Sequence, residues 1–128
     1  MPDEIKRAPI EHPPIYAPYP NPHLADFVRE NAMPYDAASD DYKVAPFARD
    51  ISEGKNDPIY NAHSYHTKVP PKAIEPFIQH YTKPGDLVLD PFCGSGMTGV
   101  AALHNGRKCI LIDISPAATF IAYCYGLN

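Results

Sequence analysis

Of the 16 prolines, 12 stand at or before Pro71, whereas six of the seven glycines stand at or after Gly85. Proline fixes φ and removes a backbone donor, so a stretch this rich in it can form neither helix interiors nor central strands. From Met1 to about Asn61, and most densely in Pro13-Pro14-Ile15-Tyr16-Ala17-Pro18-Tyr19-Pro20-Asn21-Pro22, the expectation is an extended arm. Tyr16, Tyr19, Tyr35, Tyr42, Phe47 and Tyr60 give that arm aromatic anchors of a kind that disordered tails lack, which predicts that it wraps over another surface. One stretch is different: Pro22 at a first helical position, with Leu24, Phe27 and Val28 at i, i+3, i+4, predicts a short amphipathic helix over 21–30.

The remaining sequence must supply the core. A chain of 128 residues with a formal charge of −4 is one small domain or a piece of a larger one. No apolar run reaches the roughly 18 residues of a membrane span, and Met1-Pro2-Asp3-Glu4 does not open a signal peptide, so a cytoplasmic location is expected. Cys93, Cys109 and Cys124 form no Cys-x-x-Cys pair, which argues for reduced thiols over a disulfide framework or a cysteine zinc site. With a pI near 5.8 the chain has no overall basic field. Any contact with nucleic acid must therefore rest on a local site or on surface elsewhere.

After Pro71, Ala73, Ile74, Phe77, Ile78 and Tyr81 form one helix stripe, interrupted by Pro76, so the helix is expected to start between 70 and 76. Lys83-Pro84-Gly85-Asp86 is a turn, and Leu87-Val88-Leu89 is expected to be a buried parallel strand because it is apolar on both sides. Asp90-Pro91-Phe92-Cys93-Gly94-Ser95-Gly96 closes the strand in a glycine turn. Met97, Val100, Ala101 and His104 then predict a helix that Gly106 ends. Cys109-Ile110-Leu111-Ile112-Asp113 is a second strand. Ser115 caps a last helix with Pro116 in its first position and Gly126 just past its end. The order from 71 to 126 is α-β-α-β-α, a partial Rossmann-like α/β fold expected to continue beyond Asn128, since two strands are too few for a doubly wound sheet.

Gly94-Ser95-Gly96-Met97-Thr98-Gly99 matches Gly-x-Gly-x-x-Gly between a strand and a helix, with Asp113 at the next strand end, 19 residues after Gly94. Such a turn lets a ligand approach the backbone at a helix N-terminus, and the second acid can accept ribose hydroxyls. The alternative is a turn that only packs helix on strand. Asp90 selects among cofactors: it would repel the pyrophosphate of a dinucleotide but favour the ammonium and sulfonium of S-adenosylmethionine, unless it serves only as a turn-forming Asp-Pro. A nicotinamide oxidoreductase fragment stays open on the literal glycine pattern. No Gly-Lys-Ser or Gly-Lys-Thr supports a P-loop.

The run from Pro84 to Gly99 resembles the cofactor motif of the amino-group (N4-cytosine or N6-adenine) DNA methyltransferases. Gly106 to Ser115 resembles their second strand, and His66-Thr67-Lys68-Val69-Pro70 the upstream segment that folds over the methionine end of the cofactor. The proline-rich arm over 1–62 is expected to be mostly irregular, and the resemblance implies a cofactor-binding segment over 63–128. It implies that Asp90, Phe92, Gly94 and Gly96 wall the methionine side, Asp113 meets the ribose, and Thr67 and Lys68 lie near the methionine carboxylate. Pro91, Cys93 and Ser95 of the same turn, and Ile114 beside Asp113, complete the expected S-adenosylmethionine site. Met97 stands where the family usually has threonine, and Val69 separates Lys68 from Pro70 where the family usually has Lys-Pro.

The implied activity is methyl transfer to an exocyclic amino group of adenine or cytosine in DNA, in the manner of restriction–modification enzymes. The family's catalytic loop, Asp, Asn or Ser before Pro-Pro and an aromatic, is not found, so no catalytic residue is assigned. His12-Pro13-Pro14-Ile15, the nearest string, belongs to the arm. The chain is thus expected to be an amino-terminal part whose catalytic loop follows Asn128, with DNA bound through the complete enzyme and a missing portion or second polypeptide completing the domain. The alternative is an inactive S-adenosylmethionine-binding module. His63, His66 and His80 are taken as ordinary polar or stacking histidines, with no metal expected. Cys93 is taken as a small filler, and Tyr123 and Tyr125 as packing at a helix end.

Overall fold

The computed structural model describes residues 20–52 and 56–127. The dense proline run before Pro20, with Tyr16, Tyr19 and His12-Pro13-Pro14-Ile15, lies outside the described residues. The elements are α1 (Leu24–Asn31), α2 (Pro58–Asn61), α3 (Pro71–Tyr81), β1 (Leu87–Asp90), α4 (Met97–His104), β2 (Lys108–Leu111) and α5 (Pro116–Gly126). β1 and β2 pair in parallel, Leu87 opposite Lys108 and Asp90 opposite Leu111. The result is a mixed α/β arrangement around a small parallel sheet.

α4 is the centre of the packing. Met97, Gly99, Val100, Ala101 and Ala102 are buried, and their small size brings neighbouring backbones close. A Cβ on Gly99 would stand 2.5 Å from Leu111 Cδ1 and 3.5 Å from Cys109 Sγ, so α4 rests directly on the β2 face bearing those two residues. Gly106 ends α4 in a left-handed conformation (φ +70°). Its amide donates to Leu103 O, while Arg107 N donates to Ala102 O, the paired bonds that satisfy the last carbonyls of a helix. At the start of α5, Ser115 Oγ accepts from Ala118 N at 3.3 Å with Pro116 following, as expected.

Three local expectations are corrected and one, the start of α3, is met. The first helix begins at Leu24, because Asn21 turns the chain first: its side chain accepts from His23 N and its carbonyl from Leu24 N. α3 begins at Pro71, inside the expected window of 70 to 76, and runs through Pro76; the proline withholds only the amide that would donate to the Lys72 carbonyl, one turn from the helix start. Gly126 is the last residue of α5. β1 is parallel but not buried: Leu89, on the face turned away from α4, is 60% exposed.

The arm does wrap over the core. His80 Nε2 contacts Ala45 O at 2.7 Å, Tyr42 Oη donates to Tyr81 O at 3.0 Å, and Phe47 N donates to Tyr81 Oη at 2.7 Å. Phe47 lies 4.4 Å from the Phe77 ring and carries the Arg49 guanidinium at 5.2 Å. These contacts reach Phe77 and Tyr81, the outer part of the α3 stripe, and leave both partly exposed. α1 is tied to β2 through Lys108 Nζ, which donates to Asn31 Oδ1 at 2.6 Å.

Candidate functional site

At the carboxyl end of β1 the chain must turn sharply to enter α4, and Gly94 (φ +52°) and Gly96 (φ +83°) make that turn. Hydrogen bonds wire the turn to the end of β2. Cys93 N donates to Ile112 O at 2.9 Å and Gly94 N to Asp113 Oδ2 at 2.8 Å, while Ser115 N donates to Asp113 Oδ1 at 2.8 Å. Both Asp113 oxygens thus accept from backbone amides, one on the glycine turn and one at the α5 cap. Asp90 Oδ1 accepts from Phe92 N at 3.1 Å, an Asx turn that shapes the strand end.

A cleft of about 210 Å³ opens over this turn. It brings together Thr67, Lys68, Asp90, Phe92, Cys93, Gly94 and Ser95, all singled out from the sequence. Pro91, Gly96, Asp113 and Ile114 stand outside its lining. Gly96 is buried beneath the turn against Ala122, and Ile114 is fully exposed. Tyr65, which sequence reasoning missed, forms part of the wall, and its Cε1 would stand 3.0 Å from a Cβ on Gly94. Its place depends on tertiary packing, so no local pattern marks it. Ser95 is 1% exposed, and its hydroxyl has no hydrogen-bond partner.

The field at the turn is negative. Burial first, then the charges of Asp113 and Asp90, push the Cys93 thiol up from 9.0 to about 12. A thiol so disfavoured as an anion is a poor nucleophile, in keeping with its role as a filler. The folded state holds this proton more tightly than the unfolded chain does. The associated stability is therefore fully present below about pH 9 and is lost as pH rises toward 12. Iodoacetamide at pH 8 should label the exposed Cys124 first and leave Cys93 intact; equal rates by mass spectrometry would show that the turn is open to reagent.

Lys68 Nζ donates to the carbonyls of Tyr60 and His63 and lies 4.4 Å from the Tyr60 ring centroid. His63 Nδ1 accepts from Tyr65 N at 3.1 Å, and burial followed by the Lys68 charge holds this imidazole below its ordinary pKa. Its ring packs 5.7 Å from that of Tyr125. Among the described residues no group of three or more His, Cys, Asp or Glu side chains is placed to hold a metal ion. No helix among them is long and apolar enough to cross a membrane.

A family model described as DNA methylase matches residues 33–123. Over 95 residues, 72% of this chain and 30% of the relative, the sequence is 34% identical to the DNA adenine methyltransferase YhdJ of Escherichia coli. It is 39% identical over 64 residues to the type II methyltransferase M.MjaII of Methanocaldococcus jannaschii, covering 50% of this chain and 12% of the relative. It is 45% identical over 53 residues to the type II methyltransferase M.Cfr9I of Citrobacter freundii, covering 41% and 18%. The chain therefore spans less than a third of the length of these curated relatives. No solved structure matches it at a significant level.

Proposed function

The chain belongs to the DNA methylase family of the N6/N4 amino-group type, and from that premise we propose that it supplies the S-adenosylmethionine-binding part of an enzyme that methylates an exocyclic amino group of adenine or cytosine in DNA. The observation that carries this reading is the carboxylate pair at the glycine turn. Asp90 borders the cleft with one oxygen that no described residue bonds, and the field it shares with Asp113 disfavours an anion there, adding to burial in raising the Cys93 thiol. A pyrophosphate would meet repulsion at this point, whereas an ammonium and a sulfonium would be attracted.

The residues present fit such a ligand. Ser95 offers a buried hydroxyl without a partner on the cleft wall, and Gly94, lacking a side chain, leaves the floor open beneath Tyr65. Bound S-adenosylmethionine would supply an activated methyl on sulfur for direct in-line transfer. On this reading Asp90 holds the cationic end, Tyr65 and Phe92 flank it, and Asp113 keeps the turn in register with β2. The tasks of this segment are binding and orientation. The cleft is smaller than the roughly 300–1,000 Å³ typical of ligand sites, and we infer that other parts of a Rossmann-like domain complete its walls and carry the catalytic loop. The domain plan is an arm over 1–62, of which Tyr42, Ala45 and Phe47 meet α3, and a cofactor segment over 63–128. DNA would be met through the complete enzyme.

Calorimetric titration tests the reading. S-adenosylmethionine should bind the chain in preference to NADH, and Asp90→Ala should weaken it roughly tenfold, the loss of one charge-assisted contact. Preferential NADH binding, or binding indifferent to Asp90, would overturn it.

A further inference from the structure

We propose that Lys68 is a positioning residue, which staples the loop carrying Tyr65 against the glycine turn and does not pair with the cofactor's carboxylate; the proposal rests on reading the cleft as an S-adenosylmethionine site. An ammonium has three donors. Two of them serve the Tyr60 and His63 carbonyls, and the group sits over the Tyr60 ring, so Lys68 closes the loop from 60 to 68 on itself. Turning toward a carboxylate in the cleft would leave both carbonyls without this donor and give up the cation–π contact.

The loop so closed is anchored at its base and aimed at its tip. Asp57 caps α2 by accepting from Ile59 N and Tyr60 N, and it stands 3.7 Å from Lys72 on α3. Tyr125 on α5 donates to Ile59 O at 2.9 Å and packs against the His63 ring. From His63 the chain reaches Tyr65, whose amide donates to His63 Nδ1 and whose ring edge lies over Gly94. Lys68 borders the cleft, but its ammonium is turned to the Tyr60 and His63 carbonyls and is linked to the Tyr65 wall through His63, so its removal should loosen that wall more than it deletes a contact with the ligand's carboxylate.

The two roles separate with a pair of ligands. 5′-Methylthioadenosine has the nucleoside and thioether of the cofactor but no amino-acid carboxylate. In the full chain, Lys68→Met should weaken S-adenosylmethionine and 5′-methylthioadenosine by the same factor, about tenfold, in the usual range for coupling between a site and its support. Tyr125→Phe, which releases the same loop from its other side, should weaken both in the same direction. Without any ligand, the Tyr65 amide should exchange its hydrogen faster in Lys68→Met than in the parent chain. Loss of affinity for S-adenosylmethionine alone would make Lys68 a carboxylate ligand and overturn the proposal, as would unchanged exchange at Tyr65. Failure of the parent chain to bind either compound would instead count against the cofactor reading, and the exchange measurement would still decide the staple.

Discussion

Arg107→Met should destabilise the chain by about 3 kcal/mol, the cost of losing several charge-assisted hydrogen bonds inside the protein. The arginine is 7% exposed. Nη2 donates to Thr82 O at 2.6 Å, Nε to Thr82 Oγ1 at 2.9 Å and Nη1 to Asn105 O at 2.5 Å. No carboxylate among the described residues forms an ion pair with it. Thr82 and Asn105 are instead the C-terminal caps of α3 and α4, so the cation sits where two helices both present the negative ends of their dipoles. Methionine fills similar volume but leaves these carbonyls facing an apolar chain. Thermal unfolding followed by circular dichroism should show the midpoint falling by on the order of 10–20 °C, the usual conversion for a domain of this size. A lysine ammonium cannot reproduce the planar fork of a guanidinium, so Arg107→Lys should recover only part of the loss. A midpoint unchanged in Arg107→Met would mean that water already serves these carbonyls.

The second large effect is expected at Gly96. Its φ of +83° costs any L side chain about 1–2 kcal/mol, and an added Cβ would stand 2.6 Å from Ala122 Cβ and 2.9 Å from Ala122 Cα. That neighbour is helix backbone, so α5 would have to move. Gly96→Ala should therefore cost about 3 kcal/mol by chemical denaturation, combining backbone strain with overpacking. Gly85 is the internal control. It has a similarly positive φ of +92° with nothing within 4 Å of its missing Cβ, and Gly85→Ala should cost only about 1–2 kcal/mol, the strain alone. Equal losses at the two glycines would show that α5 gives way freely. Because Gly96 joins the turn to α4, Gly96→Ala should also weaken S-adenosylmethionine binding, whereas Gly85→Ala should leave it unchanged.

What was legible in the sequence was local chemistry. Ser115-Pro116, Gly106 and the turn at Gly94 and Gly96 are each determined by a few adjacent residues, and their elements begin and end within a residue or two of expectation. The short helix α2 carried the same kind of mark, Asp57 followed by Pro58, and was passed over inside a proline-rich stretch. Contacts formed across the chain were not legible. Tyr42 and Phe47 meet Tyr81 over 39 and 34 residues, and Arg107 meets Thr82 over 25. Composition predicted an arm that wraps over something, but only the fold shows that α3 is what it meets. At the site, Asp90 and the glycines announce themselves by order along the chain, while Tyr65 enters by packing alone. Asp113 was expected to face a ribose, and the structure shows both its oxygens occupied by amides of the turn and the α5 cap.

The exposed apolar side chains at the sheet have a physical consequence for handling the protein. Leu89 and Ile112 stand exposed at the sheet, and Ile114 continues the apolar line beyond the strand end. Water gains by being released from such a surface, and the gain grows with every pair of molecules that meet there. Clear dilute solutions and turbid concentrated ones would then be two readings of a single property. Ionic strength would act on it in the sense opposite to its action on a charged patch, since salts excluded from protein surfaces strengthen apolar association while screening weakens attraction between charges.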